Sequence, residues 1–139
     1  MREHLCVVIS EDNSLLREVV MDYLATFGIS SIEAGNENDI MSHMESGLVD
    51  AVVLDLVSKS GFGRVFQLLD KMQLDPNLRH FPLIITTAFD VKDLHLSKQT
   101  RHLTDVAIIQ KPYDLCRLRR MIIELTKETR ASKADIPVM

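Results

Sequence analysis

The sequence has no tryptophan, and it carries only five glycines, four prolines and two cysteines. So little glycine and proline excludes collagen-like and low-complexity classes. Two cysteines cannot staple a small disulfide scaffold, and neither Cys6 nor Cys116 has a second cysteine at Cys-x-x-Cys spacing. They read as two buried thiols in a reducing cytosol. The histidines His4, His43, His80, His95 and His102 are scattered, with no pair at zinc-ligand spacing, and read as surface or loop residues. No apolar run approaches about 18 residues, so no membrane span is expected. Basic residues are not in excess: the formal charge is −4, which argues against direct nucleic-acid binding through a basic face. The opening Met-Arg-Glu-His runs straight into a strand-like segment without the design of a signal peptide, so a cytoplasmic protein is expected.

What is present is the composition of an ordinary globular domain. Apolar residues make up 46 % and charged residues 26 % of 139, enough for one core without staples. Short apolar runs alternate with segments of helical period. Leu5 to Ile9 reads as a first strand. Leu15, Leu16, Val19, Val20, Tyr23, Leu24 and Phe27 recur at steps of three and four, with Asp12 or Asn13 as cap and Gly28 as stop. Ser30 to Ala34 is a brief second strand. Ile40, Met41, Met44 and Leu48 mark a second helix ending near Gly47. Ala51 to Asp55 is a third strand, and Val65, Leu68, Leu69 and Met72 form a third helical face closed by Asp75-Pro76. Pro82 to Thr87 is a β-branched fourth strand. Val91 to Arg101, with a thin apolar stripe, is a fourth helix, Val106 to Ile109 a fifth strand, and Tyr113 to about Arg130 a fifth helix. The pattern predicts an α/β domain over residues 1–130, with 131–139 as a tail or linker stub. Its fold is a five-stranded parallel sheet with five helices spread over both faces.

In an open parallel sheet, sites gather outside the carboxyl ends of the strands. There the sequence places Glu11 and Asp12 after strand 1, Asp55 at the end of strand 3, Thr86 and Thr87 on strand 4, and Lys111 after strand 5. Taken singly, each has an ordinary explanation: a helix cap, a turn residue, a strand threonine, a solvated lysine. Together they form an ordered set on one rim. Three clustered carboxylates repel, and one lysine cannot neutralise them. A hard divalent cation can, and Mg²⁺ prefers a few carboxylates, several waters and a phosphate oxygen. A carboxylate beside Mg²⁺, an ammonium and a hydroxyl is a nucleophile toward phosphorus. The expected chemistry is in-line attack by Asp55, giving an aspartyl phosphate.

The ordered set resembles the receiver domain of a two-component response regulator. It is carried by Ser10-Glu11-Asp12-Asn13, Leu54-Asp55, Thr87-Ala88 and Lys111-Pro112, and covers about residues 4 to 128. The resemblance implies a flavodoxin-like strand order 2-1-3-4-5 and Asp55 as phosphoacceptor. It implies Mg²⁺ held by Glu11, Asp12, Asp55 and the backbone carbonyl of Val57, with Lys111 on the phosphoryl group and Thr87 swinging toward it. The implied donor is a phosphohistidine on a histidine kinase or phosphotransfer protein. The implied output is a changed surface on the fourth helix, fifth strand and fifth helix, read by a downstream effector domain or protein. Such a domain phosphorylates itself and turns over no separate substrate.

Several positions depart from the family pattern. Ile108 stands where a tyrosine or phenylalanine usually rotates with the threonine, which implies a muted switch or one signalled through the backbone and the fourth helix. The loop after Asp55, Leu56-Val57-Ser58-Lys59-Ser60-Gly61, lacks the usual proline, and Lys59 is read as a solvated loop residue rather than a phosphate contact. Val57 and Phe89, two residues past Asp55 and Thr87, are apolar and cannot orient an attacking water, so a slowly hydrolysed phosphoryl group is expected. Gly61-Phe62-Gly63-Arg64 is read as a turn into the third helix, not a phosphate cradle. The alternative is an interaction module of the same fold that works without phosphorylation. A flavin or nucleotide site is disfavoured because Glu11 and Asp12 would repel phosphate. A dehalogenase-like phosphatase would need a second aspartate where Val57 stands.

Overall fold

The computed structural model describes residues 4–57, 63–90, 92, 95–96 and 98–134, with the side chains of all of these but 63, 64 and 128–134. Strands and helices alternate: β1 (Cys6–Ser10), α1 (Ser14–Thr26), β2 (Ser30–Glu33), α2 (Glu37–Glu45), β3 (Ala51–Asp55), α3 (Gly63–Leu74), β4 (Leu83–Thr87), β5 (Val106–Gln110) and α4 (Leu115–Ala134). Every neighbouring strand pair is parallel, and the order is β2-β1-β3-β4-β5. This is the doubly wound, flavodoxin-like arrangement expected from the sequence.

Local chemistry sets the helix ends. The Asn13 side chain accepts the Leu16 N–H at 3.0 Å and caps α1, and Asn36 does the same for α2 through the Asp39 N–H at 2.9 Å. Gly28 and Gly47 follow the two helices with φ of 77° and 76°, a conformation that glycine adopts without a Cβ penalty.

The sheet buries both faces, and strand residues alternate between two cores. Val8, Val52, Leu54, Leu83 and Ile85 pack with Ile40 and Met44 of α2 and Val65, Leu68, Leu69 and Met72 of α3. Val7, Ile9, Ala51, Val53 and Ile84 pack with Val20 and Leu24 of α1 and Leu118 and Ile122 of α4. Burial of this apolar surface on both sides is the main stabilising term.

Four helices occur among the described residues rather than five. Where a helix is expected over Val91 to Arg101, the described residues of that segment form single turns. Asp90 takes the Lys92 N–H on its carboxylate at 2.9 Å, and the Thr100 N–H and hydroxyl both donate to the Leu96 carbonyl at 2.9 and 2.8 Å. Side chains that bond to nearby backbone compete with helix, and the thin apolar stripe offers little packing against that. Residues 91, 93, 94 and 97 lie outside the described set.

Several smaller expectations are corrected. Leu48 follows α2 rather than lying in it and is exposed, and Leu15, Val19 and Phe27 of the α1 stripe are exposed as well. α4 continues to Ala134, so the boundary at 130 falls inside a helix, while 135–139 lie outside the described residues. Cys6 and Cys116 are not joined in a disulfide, and both are partly exposed rather than buried. His43 is half-buried and the other four histidines are exposed.

Candidate functional site at the carboxyl rim of the sheet

β1, β3 and β5 each end on a residue or loop that turns toward the same point. β1 leads into Glu11, which is buried to 8 % exposure. β3 ends on Asp55, and β5 leads through Gln110 to Lys111. The lysine ties the acids together: its Nζ lies 2.5 Å from Glu11 Oε1 and 3.2 Å from Asp55 Oδ2. Glu11 Oε2 accepts the Asn13 N–H at 3.1 Å, so both of its oxygens are engaged. Asp55 Oδ1 faces the Val57 N–H at 3.4 Å, a long contact.

The two carboxyls titrate as a pair with opposite tendencies. Burial pushes the Asp55 carboxyl up from 3.8 to about 6, and the hydrogen bond to Glu11 and that neighbour's charge push the same way, against Lys111. For Glu11, burial works upward, but its bonds to Lys111 and the Asn13 N–H prevail, and its pKa is lowered. Lys111 is held above its usual value: burial opposes its charge, and the two acids outweigh it. Tyr113, two residues on, is pushed up to about 12 by burial and by the negative charge of Glu11 and Asp55. Among the described residues one cation, Lys111, therefore serves buried Glu11 and half-buried Asp55, and the acid less well served is Asp55.

The remaining predicted residues take these places. Asp12 is exposed beside Glu11 on the rim. Thr87 is fully buried, and its hydroxyl accepts the Phe89 N–H at 3.0 Å. The Lys111 N–H donates to the Thr87 carbonyl at 2.6 Å, and the Leu56 N–H to the Thr86 carbonyl at 2.9 Å, which locks the rim of β3, β4 and β5. Ile108 pairs with Ile85 and packs half-buried against the α2/α3 core. Val57 and Phe89 are both exposed, at 37 % and 47 %. Lys59, Gly61 and Phe62 lie outside the described residues, as does the side chain of Arg64. The site thus gathers Glu11, Asp55 and Lys111 into direct contact, with buried Thr87 tied to Lys111 through the backbone.

One participant was missed in the sequence. Arg17 of α1 reaches back to the acid loop and donates from one Nη to the Glu11 carbonyl at 2.8 Å, while its Nε meets Glu33 Oε2 at 2.9 Å. Its only sequence signal is spacing, a lone arginine about a turn and a half after an acid pair.

Mg²⁺ fits the donor set. Among the described residues no group of three or more His, Cys, Asp and Glu side chains is arranged to hold a metal unaided. Mg²⁺ does not need one, since it retains waters and completes its shell with substrate oxygen. Hard carboxylate oxygens of Glu11 and Asp55 share one small site around the Lys111 ammonium.

Protein-family models gave no match to this sequence, and neither did the curated proteins. Solved structures did. A signal receiver domain from Vibrio parahaemolyticus superposes with a TM-score of 0.77 at 17 % identity, covering 97 % of this chain and 99 % of that one. A response regulator receiver domain from Methanospirillum hungatei gives 0.74 at 18 %, covering 94 % and 99 %. The receiver domain of a sensor histidine kinase from Pseudomonas aeruginosa gives 0.72 at 16 %, covering 89 % and 98 %, and its structure holds a magnesium ion coordinated in the active-site cleft. The chain has the fold of response regulator receiver domains over nearly its whole length.

Proposed function

We propose that the protein is a phosphoacceptor receiver that takes a phosphoryl group onto Asp55. The observation that carries this reading is the shared lysine: Lys111 Nζ within reach of both Glu11 and Asp55 at the carboxyl ends of three strands. A side-chain oxygen of Asp55 attacks phosphorus in line, the bond to the donor's leaving group breaks, and an aspartyl phosphate forms. Lys111 offsets negative charge on the transferring oxygens. Glu11 holds the lysine in place. Thr87, buried on the same rim, reports the new group by turning its hydroxyl to donate to it and so releasing the Phe89 N–H that the hydroxyl now accepts. Mg²⁺ held by Glu11, Asp12, Asp55 and the Val57 carbonyl would supply further positive charge to the phosphoryl oxygens.

The natural donor in this reading is a phosphohistidine on a histidine kinase or phosphotransfer protein. The receiver of the signal is a downstream effector domain or protein docking beside β5 and α4. The protein acts in the cytoplasm and has no separate substrate to turn over. Among the described residues no helix is long and apolar enough to cross a membrane.

Incubation with a small acyl phosphate and Mg²⁺ tests the proposal. Intact-mass spectrometry should show one added phosphoryl group, lost in Asp55→Asn. Absence of the adduct on the unaltered protein overturns it. That result would favour a phosphorylation-independent interaction module, a reading to which half-buried, aliphatic Ile108 lends its one supporting observation.

A further inference from the structure

We infer that Arg17, anchored by Glu33, is a positioning residue for the acid site. The inference rests on the phosphoacceptor reading above and concerns what holds Glu11 still. Glu11 must do two things at once: keep Lys111 within reach of Asp55 and leave carboxylate oxygen directed into the site. Its side chain is bound at both oxygens, by Lys111 Nζ at 2.5 Å and the Asn13 N–H at 3.1 Å. Its backbone leaves the ladder where β1 ends, so the strand no longer fixes it. The Arg17 guanidinium replaces the ladder there, donating to the Glu11 carbonyl at 2.8 Å from α1.

The other edge of the same guanidinium meets Glu33 Oε2 at 2.9 Å, at the end of β2. A planar fork with fixed donors can bridge two acceptors in one geometry; a lysine ammonium is a single point charge on a flexible stem. Arg17 thereby links the acid loop to α1 and to the neighbouring strand. The Ala34 N–H donates to the Ile9 carbonyl at 3.1 Å, so the end of β2 is itself tied to β1. The clamp closes on a fixed frame.

Stability alone does not explain the arrangement. The Glu33 side chain is 66 % exposed and that of Arg17 26 %, and ion pairs so open to water add little to folding. What the clamp changes is the freedom of Glu11. Groups that orient a ligand from behind commonly change metal affinity about 10- to 100-fold when removed.

The test compares Arg17→Ala, Arg17→Lys and Glu33→Gln with the unaltered protein. Mg²⁺ is titrated into metal-free protein while the backbone amides of Asp55 and Lys111 are followed by NMR, and urea midpoints are measured in parallel. Arg17→Ala and Arg17→Lys should each weaken Mg²⁺ binding about tenfold, with the urea midpoint nearly unmoved. Glu33→Gln should weaken it in the same direction by a smaller factor. Mg²⁺ affinity of Arg17→Lys equal to that of the unaltered protein would overturn the clamp, because charge alone would then suffice. So would a lowered urea midpoint with unchanged affinity in Arg17→Ala. If the unaltered protein neither binds Mg²⁺ nor accepts phosphate, the phosphoacceptor reading itself fails, which is a separate outcome.

Discussion

Lys111 and Thr87 are joined through their backbones: the lysine N–H donates to the threonine carbonyl at 2.6 Å, where β4 and β5 end together. The two side chains proposed to meet an incoming phosphoryl group thus start from one rigid pair of strand ends. The Thr87 hydroxyl is occupied by the Phe89 N–H, so movement of the hydroxyl must release the start of the β4–β5 connection. Thr87→Val keeps the shape but leaves that N–H without its acceptor. A loss of about 1 to 2 kcal/mol in urea unfolding is expected. Labelling of Asp55 by acyl phosphate should persist, while the Phe89 amide no longer shifts on phosphorylation in NMR spectra.

Asp55 sets the pH dependence. Its carboxyl is raised from 3.8 to about 6 on folding, so the folded chain binds this proton more tightly than the unfolded one. Its contribution to stability is full below about pH 4 and is lost as pH rises through about 6. Glu11, lowered, contributes in the opposite sense, with its share lost as pH falls through its folded value. In EDTA at pH 7.5, Asp55→Asn should therefore stabilise the protein by about 2 kcal/mol, and the gain should shrink toward pH 4. Urea midpoints across that range check both the sign and the window.

Mg²⁺ should replace part of that gain. Added at pH 7.5 in excess over its dissociation constant, it raises the melting temperature of the unaltered protein by mass action. The rise should be much smaller for Asp55→Asn, which has lost one of the proposed ligands. Equal shifts in both proteins, read by scanning calorimetry, would place the ion elsewhere.

Lys111→Met removes the cation that, among the described residues, works against burial at Asp55. The Asp55 carboxyl should then titrate above about 6, as followed by carbon-13 NMR of the side chain. Acyl-phosphate labelling should slow about 100-fold, the usual cost of losing one preorganised charge.

Val57 and Phe89, two residues past Asp55 and Thr87, are exposed and apolar, so their side chains can offer an attacking water no hydrogen bond. The phosphoryl group should persist for minutes or longer after the donor is removed. Val57→Asn combined with Phe89→Glu should shorten its lifetime about tenfold by giving water a place to bind. Decay followed by intact mass measures both.

The strands and the acid–lysine set were legible in the sequence because each leaves a local mark, whereas the strand order followed from the resemblance to receiver domains. A strand buried on both faces is an unbroken apolar run, as at Ala51 to Leu54, and a polar residue ending such a run lies at the rim. The turns taken by the described residues between Val91 and Arg101 were not legible, because helical spacing there competes with the side-chain–backbone bonds of Asp90 and Thr100. The α1 stripe was overread: period alone does not separate Val20 and Leu24, which are buried, from Leu15 and Val19, which are not. Arg17 escaped notice because an arginine on a helix carries no sign of the carbonyl it will reach. Its role depends on the angle at which α1 leaves the acid loop, and that angle is a property of the packed domain.

Both faces of the sheet are greasy, and this has a cost in fidelity. Sliding β3 by a single position would exchange Val52 with Val53 between the two cores, nearly like for like, so oil-and-water sorting barely objects. The same slip would carry Asp55 about 3.3 Å along the strand and out of the grasp of Lys111. Some polar landmark must therefore set the alignment, and at the opposite end of the same strands Asp50 supplies one, its carboxylate accepting the Cys6 N–H at 2.8 Å. The chemistry at the top of the molecule is indexed from its base.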